Sequence, residues 1–315
     1  MDVHVPAAVF SRGHVLQSGV AEAVTSFPIR FLLALFVGMT SITAAISSEI
    51  QYTEIFYRSG DLNIQAYLYQ PEGAGPFPVV IYNHGSRGGR ESDSVPFQYV
   101  GAMLTRAGYI VLVPERRGYG KSDGSKWRDE SGRDQSQVVT RLYAETDDVL
   151  AAIAYLRTVP SADMNRLGIM GWSFGGIITM FATSHSPAFA AAVDQAGGAL
   201  TWDWNAHVRK ALLAAAESST TPTLFMVARN DRTTSSITTL AGIFKDRGIA
   251  QQTVIYDAFT PDRGAFAAPG HALFSEQGAH VWEGDLLQFL GRYLKGTVTQ
   301  RHDDVDAASA PKQRR

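Results

Sequence analysis

Cysteine is absent from the 315 residues, which excludes disulfide staples, thiolate metal sites and a cysteine nucleophile together. Charge is scarce as well. Asp, Glu, Lys and Arg make up only 18% of the chain, and 28 basic side chains nearly balance 30 acidic ones, for a formal net charge of −2. So weak a field of either sign gives neither nucleic acid nor an anionic membrane surface a basis as main partner. Long hydrophobic runs are missing too. The apolar run at 31–39 has about half of the ~20 residues that a membrane-spanning helix needs, so no permanent span is expected. What the chain does have is apolar mass. With 45% hydrophobic residues it cannot be intrinsically disordered, and one large domain is expected rather than two small ones.

The two ends stand apart from that domain. Arg30, the run Phe31–Met39 and the small residues from Thr40 to Ser48 have the layout of a secretory signal peptide: a positive flank, an apolar stretch and a small-residue site. This predicts export to the periplasm or medium if 31–45 is a signal. A buried N-terminal helix, with a cytoplasmic protein, is the other reading. Residues 298–315 mix Arg301, Asp303, Asp304, Asp306, Lys312, Arg314 and Arg315 without periodicity and read as a disordered polar tail. The expected organisation is therefore a leader at 1–48, a folded domain at 49–297 and a tail at 298–315.

Within the domain, strand and helix patterns alternate. Ile50–Tyr57 and Leu62–Tyr69 flank the turn Ser59-Gly60-Asp61 and read as an antiparallel hairpin. Continuous apolar runs follow at Val79–Tyr82, Tyr109–Val113, Arg166–Met170, Phe189–Val193, Thr223–Val227 and Thr253–Tyr256. Apolar residues without alternation suit strands covered on both faces. Helical patterns lie between them: around Val100, Met103 and Leu104, from Gln137 to Arg157, after Ser173, around Ile237–Phe244 and at Val281–Leu294. The predicted fold is α/β, a mostly parallel eight-stranded sheet with helices on both faces, entered through an antiparallel hairpin. No large cap domain is expected. In such sheets ligands bind beyond the carboxyl ends of the strands.

Those strand ends carry the chemistry. Gly171-Trp172-Ser173-Phe174-Gly175 follows one strand and opens a helix, the context in which a G-x-S-x-G string becomes a nucleophile elbow. A serine hydroxyl needs a base, and the base an orienting acid. Of eight histidines, His4, His14 and His302 fall in the ends. His185 and His207 fall on helices away from the strand ends, and His84 precedes the elbow. His271, in Pro269-Gly270-His271 after the last strand, is the leading base, with His280 at the start of the last helix behind it. The acid belongs after a strand between Ser173 and His271. Asp231, after Thr223–Val227, is the first candidate, with N-capping of the following helix as its structural alternative. Asp194 and Asp203 are the fallback acids, and Asp257 and Asp262 rank lower.

An acyl-transfer site also needs N–H donors for the developing oxyanion. The Phe174 amide supplies one. Ser86, in Asn83-His84-Gly85-Ser86, is expected to supply the second across a reversal at Gly85, with His84 bracing that loop. Arg87 and Arg90 beyond it read either as solvated side chains or as contacts for an acidic substrate group. Residues 197–217, with Trp202 and Trp204, read equally as a small lid or as an ordinary connecting helix.

Asn83-His84-Gly85, the stretch Glu115-Arg116-Arg117-Gly118-Tyr119-Gly120-Lys121-Ser122, Gly171–Gly176, Asp231 and Gly270-His271 together resemble the α/β-hydrolase superfamily. Within it they are similar to its dienelactone-hydrolase-like and prolyl-oligopeptidase-like branches, over roughly residues 50–296. The resemblance implies a Ser173–His271–Asp231 triad, an oxyanion hole from Phe174 and Ser86, and a mainly structural Glu115 stretch in which Arg117 is paired and packed. The expected activity is cleavage of carboxylic esters of small organic molecules, with no metal or cofactor. A small exported peptidase or amidase using the same triad, and a non-catalytic binding protein on the same fold, are the alternatives.

Overall fold

A computed structural model describes residues 51–130, 134–264 and 267–296. The expected leader at 1–48, with its apolar run 31–39, and the expected tail at 298–315 lie outside the described residues. Eight strands form one sheet in the order β1-β2-β4-β3-β5-β6-β7-β8. β1 (Tyr52–Ser59) and β2 (Leu62–Tyr69) are the antiparallel hairpin, and β2 joins β4 (Ile110–Glu115) antiparallel. From there β3 (Phe77–Asn83), β5 (Ala162–Trp172), β6 (Ala191–Gln195), β7 (Thr223–Ala228) and β8 (Gln251–Tyr256) run parallel. The unalternating apolar runs sit where their sequence demands. Val79, Val80, Ile81 and Tyr82 are all fully buried, whereas edge strand β1 exposes Tyr52 and Phe56.

Two helix layers cover the sheet. α1 (Gln98–Arg106) and α7 (Ala279–Leu294) pack together on one face. α3 (Gln135–Leu156), α4 (Phe174–His185), α5 (Ala206–Ser218) and α6 (Ser235–Asp246) line the other, and the short α2 (Trp127–Glu130) leans on α3. Glycines permit the closest approaches. A side chain at Gly168 would strike Leu294 of α7, and one at Gly176 of α4 would strike the carboxylate of Asp194. Local sequence starts the helices: Asp134 accepts the Ser136 amide at 2.8 Å, and Asn205 accepts those of His207 and Val208. Among the described residues no helix is long and apolar enough to cross a membrane.

Several boundaries differ from expectation. β5 begins at Ala162 rather than Arg166, because its polar first residues pair with β3 before a register shift at Pro78/Val79. β6 runs Ala191–Gln195 rather than Phe189–Val193, since Asp194 and Gln195 are buried strand residues that an apolar pattern cannot reveal. α2 was not expected at all. In region 197–217 a run of turns leads into α5, a connecting helix packed between α4 and α6.

Candidate active site

At the end of β5 the chain reverses through Ser173, held at φ 60° and ψ −118°, a conformation that side-chain-bearing residues rarely adopt. The neighbours explain how it is kept there. A Cβ at Gly171 would overlap the Gly175 carbonyl, and one at Gly175 would overlap the Asn83 carbonyl. The Ser173 amide donates to Gln195 O at 2.9 Å, while its own carbonyl accepts from Gly176 and Ile177 in the first turn of α4. The hydroxyl is thereby lifted clear of the sheet, as an elbow requires.

His271 sits in a 3-10 turn, Pro269–Phe274, beyond β8. Its position follows from three contacts. The Trp172 indole donates to His271 O at 3.0 Å. The His271 amide donates to Ala268 O at 3.0 Å. Gly270 lies so close to the β7 loop that a side chain there would collide with Asn230 and Asp231. Asn230 ties the same loop to the chain after β8, accepting the Phe259 amide and donating to the Phe259 carbonyl, each at 2.9 Å.

These elements bring three predicted residues into one chain of hydrogen bonds. His271 Nε2 is 2.9 Å from Ser173 Oγ, and His271 Nδ1 is 2.8 Å from Asp231 Oδ2. The other Asp231 oxygen accepts the Arg232 amide at 2.7 Å. Asp231 does not cap α6, whose N-cap is Thr234. His271 and Asp231 are buried, at 5% and 8% exposure, whereas Ser173 is only half-buried. With Nδ1 donating to the carboxylate, Nε2 is free to accept the serine proton.

The remaining candidates lie elsewhere. Asp194 faces α4, accepting the Gly197 amide at 2.7 Å, and full burial pushes its carboxyl up to about 7. Asp203 and Asp262 are exposed, and Asp257 pairs with Arg229 at 3.1 Å. His280 is on α7, and His185 bonds to Phe181 O at the end of α4. Among the described residues no group of three or more His, Cys, Asp or Glu side chains is placed to hold a metal ion.

The Phe174 amide is the first of α4, where an N–H has no intrahelical carbonyl partner. Gly85 passes close by: a Cβ there would sit 3.2 Å from Ser173 Cβ. Its glycine serves this approach rather than a positive φ. Ser86 follows at the exposed mouth. Behind it the loop is bolted down. His84 Nδ1 bonds to Gly85 O at 2.6 Å, and Arg116 Nη2 donates to His84 O at 2.9 Å. Burial, with Arg116 and Arg87 close by, holds the His84 imidazole well below its ordinary value, so it stays neutral. Arg87 corrects expectation. It is neither solvated nor directed at substrate, but grips the buried Glu115 carboxylate through both terminal nitrogens. Arg90 is exposed. Arg117 is paired as expected, with Asp148 at 2.7 Å. Asn230 and Trp172 escaped sequence reasoning; only their adjacency to Asp231 and Ser173 could have marked them.

The chain resembles known proteins in both sequence and fold. It is 29% identical over 142 residues to the quorum-quenching protein AidA of Acinetobacter baumannii, a match spanning 45% of this chain and 42% of that one. It thus spans well under half the length of the curated relatives it matches first. In structure it resembles an acylaminoacyl peptidase of Pyrococcus horikoshii, with a TM-score of 0.61 and 21% identity over 80% of this chain and 43% of that one. An esterase of Pyrococcus furiosus gives a TM-score of 0.56 at 16% identity, over 78% of this chain and 92% of the other. At such identities the two structures speak for the α/β-hydrolase fold alone. The family model for dienelactone hydrolases matches residues 64–294, from β2 through α7, and by that match the chain belongs to the dienelactone hydrolase family.

Proposed function

We propose that this protein is a serine hydrolase that cleaves carboxylic esters of small organic molecules through an acyl-enzyme intermediate. The observation that carries the reading is the unbroken chain from Ser173 Oγ through His271 to Asp231, at 2.9 and 2.8 Å. Ser173 Oγ attacks the ester carbonyl carbon as its proton passes to His271 Nε2. The tetrahedral oxyanion is met by the Phe174 and Ser86 amides, and Asp231 stabilises the imidazolium. The carbon–oxygen bond to the alcohol then breaks, and Nε2 returns the proton to the departing oxygen. Water repeats the sequence on the acyl-enzyme, releasing the acid and restoring Ser173. A second reading, in which the same triad cleaves amides, rests on the sequence likeness to a dipeptidyl-peptidase 5 of Porphyromonas gingivalis, 29% identical over 122 residues that span 38% of this chain and 17% of that one.

An alkyl fluorophosphonate should label Ser173 stoichiometrically in the folded protein. Ser173→Ala should abolish labelling and lower ester turnover by about 10⁴-fold or more. A folded protein that resists the probe would sink the proposal. Matched acyl esters and anilides separate the two bond types, and faster anilide cleavage would favour the amidase.

A further inference from the structure

Residues 116–130, which follow β4, are folded tightly onto the elbow side of the molecule. Gly118 adopts φ +76°, and a side chain there would collide with the Ser125 carbonyl. Its amide donates to Asp123 O at 2.9 Å, and the Asp123 amide donates to Asn63 O at 2.9 Å. One buried guanidinium spans the whole segment. Arg141 of α3 donates to the carbonyls of Arg117 and Ser125, the latter at 2.9 Å, and pairs with Glu130 at the end of α2. It also pairs with Glu145 at 2.9 Å. So held, α2 presents Trp127 to Phe174, with ring centroids 4.9 Å apart, and Arg141 Cζ lies 5.9 Å from the centre of the same indole. Trp127 and Phe174 are each only half-buried.

Phe174 directly follows the nucleophile. In a tetrahedral adduct on Ser173 the oxyanion turns to the Phe174 and Ser86 amides, and the leaving group turns to His271 Nε2. The acyl substituent takes the remaining direction, away from His271. Trp172 and His271 lie against each other, 5.7 Å apart by ring centroids, and the 3-10 turn that bears His271 packs on α7. Phe174 opens α4 and Trp127 belongs to α2, both on the side of the sheet opposite α7. Arg141 offers no free charge to an anionic acyl group, being committed to Glu145 and Glu130. We infer that the Trp127–Phe174 pair is the wall of the acyl-binding side and selects an apolar, ring-bearing acyl group, with Trp127 as the specificity-determining residue. This rests on the serine hydrolase reading above.

The test compares phenylacetyl and acetyl esters of one phenol as substrates. Phenylethylboronic and methylboronic acids serve as competitors of fluorophosphonate labelling. Wild type should prefer the phenyl-bearing member of each pair by about tenfold or more. Trp127→Ala should lower kcat/KM for the phenylacetyl ester by about 10- to 100-fold while changing that for the acetyl ester by less than about threefold. Trp127→Phe, which keeps a ring and guards against a folding defect in the alanine variant, should retain most of the preference. A labelled Ser173 with no preference in wild type, or an equal loss on both esters in either variant, overturns the inference and leaves the hydrolase intact. An unlabelled Ser173 removes the hydrolase reading itself, and the acyl wall with it.

Discussion

Asp231 divides its two oxygens between tasks. Oδ1 takes the Arg232 amide and Oδ2 faces His271 Nδ1 at 2.8 Å. A carboxylate can only accept, so in the proposed mechanism it holds the imidazole proton on Nδ1 and leaves Nε2 to take the proton of Ser173. Asp231→Asn would offer an amide donor to Nδ1 and leave the proton on Nε2, where it cannot accept from Ser173. Turnover of any ester substrate should fall by about 10³- to 10⁴-fold with KM little changed, and fluorophosphonate labelling should slow in parallel. A variant within tenfold of wild type would show that Asp231 does not set the tautomer. That Ser173, His271 and Asp231 would converge was legible, because each follows a strand in a fixed order. The parts played by Trp172 and Asn230 were not. Their work is to hold the backbone of His271 and of the loop after β8, and no local pattern announces a hydrogen bond to a distant loop.

At the scale of elements, the loop after β3 and the end of β4 act as one unit. Glu115, with no exposed side-chain surface, accepts both terminal nitrogens of Arg87 and the Val95 amide at 2.6 Å. Burial pushes its carboxyl up, and the Arg87 guanidinium pulls it back toward the charged form. Glu115→Gln would strand that guanidinium, for a loss of about 3 kcal/mol. Urea unfolding should show the loss, and kcat should fall more than KM rises because the loop bearing Ser86 is no longer fixed. Unchanged stability would mean that the pair is dispensable. The Glu115 stretch was correctly expected to be structural, yet Arg87 was misplaced. Nothing in Gly85-Ser86-Arg87-Gly88 says that the loop folds back over β4.

For the molecule as a whole, Asp194 sets a pH dependence of stability. It is fully buried between β6 and α4, and its carboxyl is raised from 3.8 to about 7 chiefly by that burial, against the Gly197 amide that lowers it. The folded protein keeps this proton where the unfolded chain has released it. Stability is therefore greatest at acid pH with respect to this group. It declines as pH rises from the ordinary value toward about 7, and then levels off, a total of about 4 kcal/mol. Asp194→Asn should remove this decline, so the gap between the two proteins' unfolding free energies should narrow or reverse from acid to neutral pH. Parallel curves would refute the assignment. Composition and alternation forecast the sheet that buries Asp194, but not that β6 would run on through a carboxyl buried inside it.

By itself the sequence determined the α/β order, the elbow at Ser173, the exclusion of a cysteine nucleophile and the candidates for base and acid. These depend on short-range rules: the periodicity of burial, the steric demands of glycine and the position of a residue after a strand. Only the tertiary structure set His271 within hydrogen-bonding distance of both Ser173 and Asp231, with His280 on α7 and Asp194 against α4. It also spent Arg87 on Glu115 and set Trp127 beside Phe174. Each of those outcomes turns on a contact between segments far apart in the chain, made where parallel strands end together and their loops converge. Such contacts are fixed by packing geometry, which no local stretch of the sequence contains.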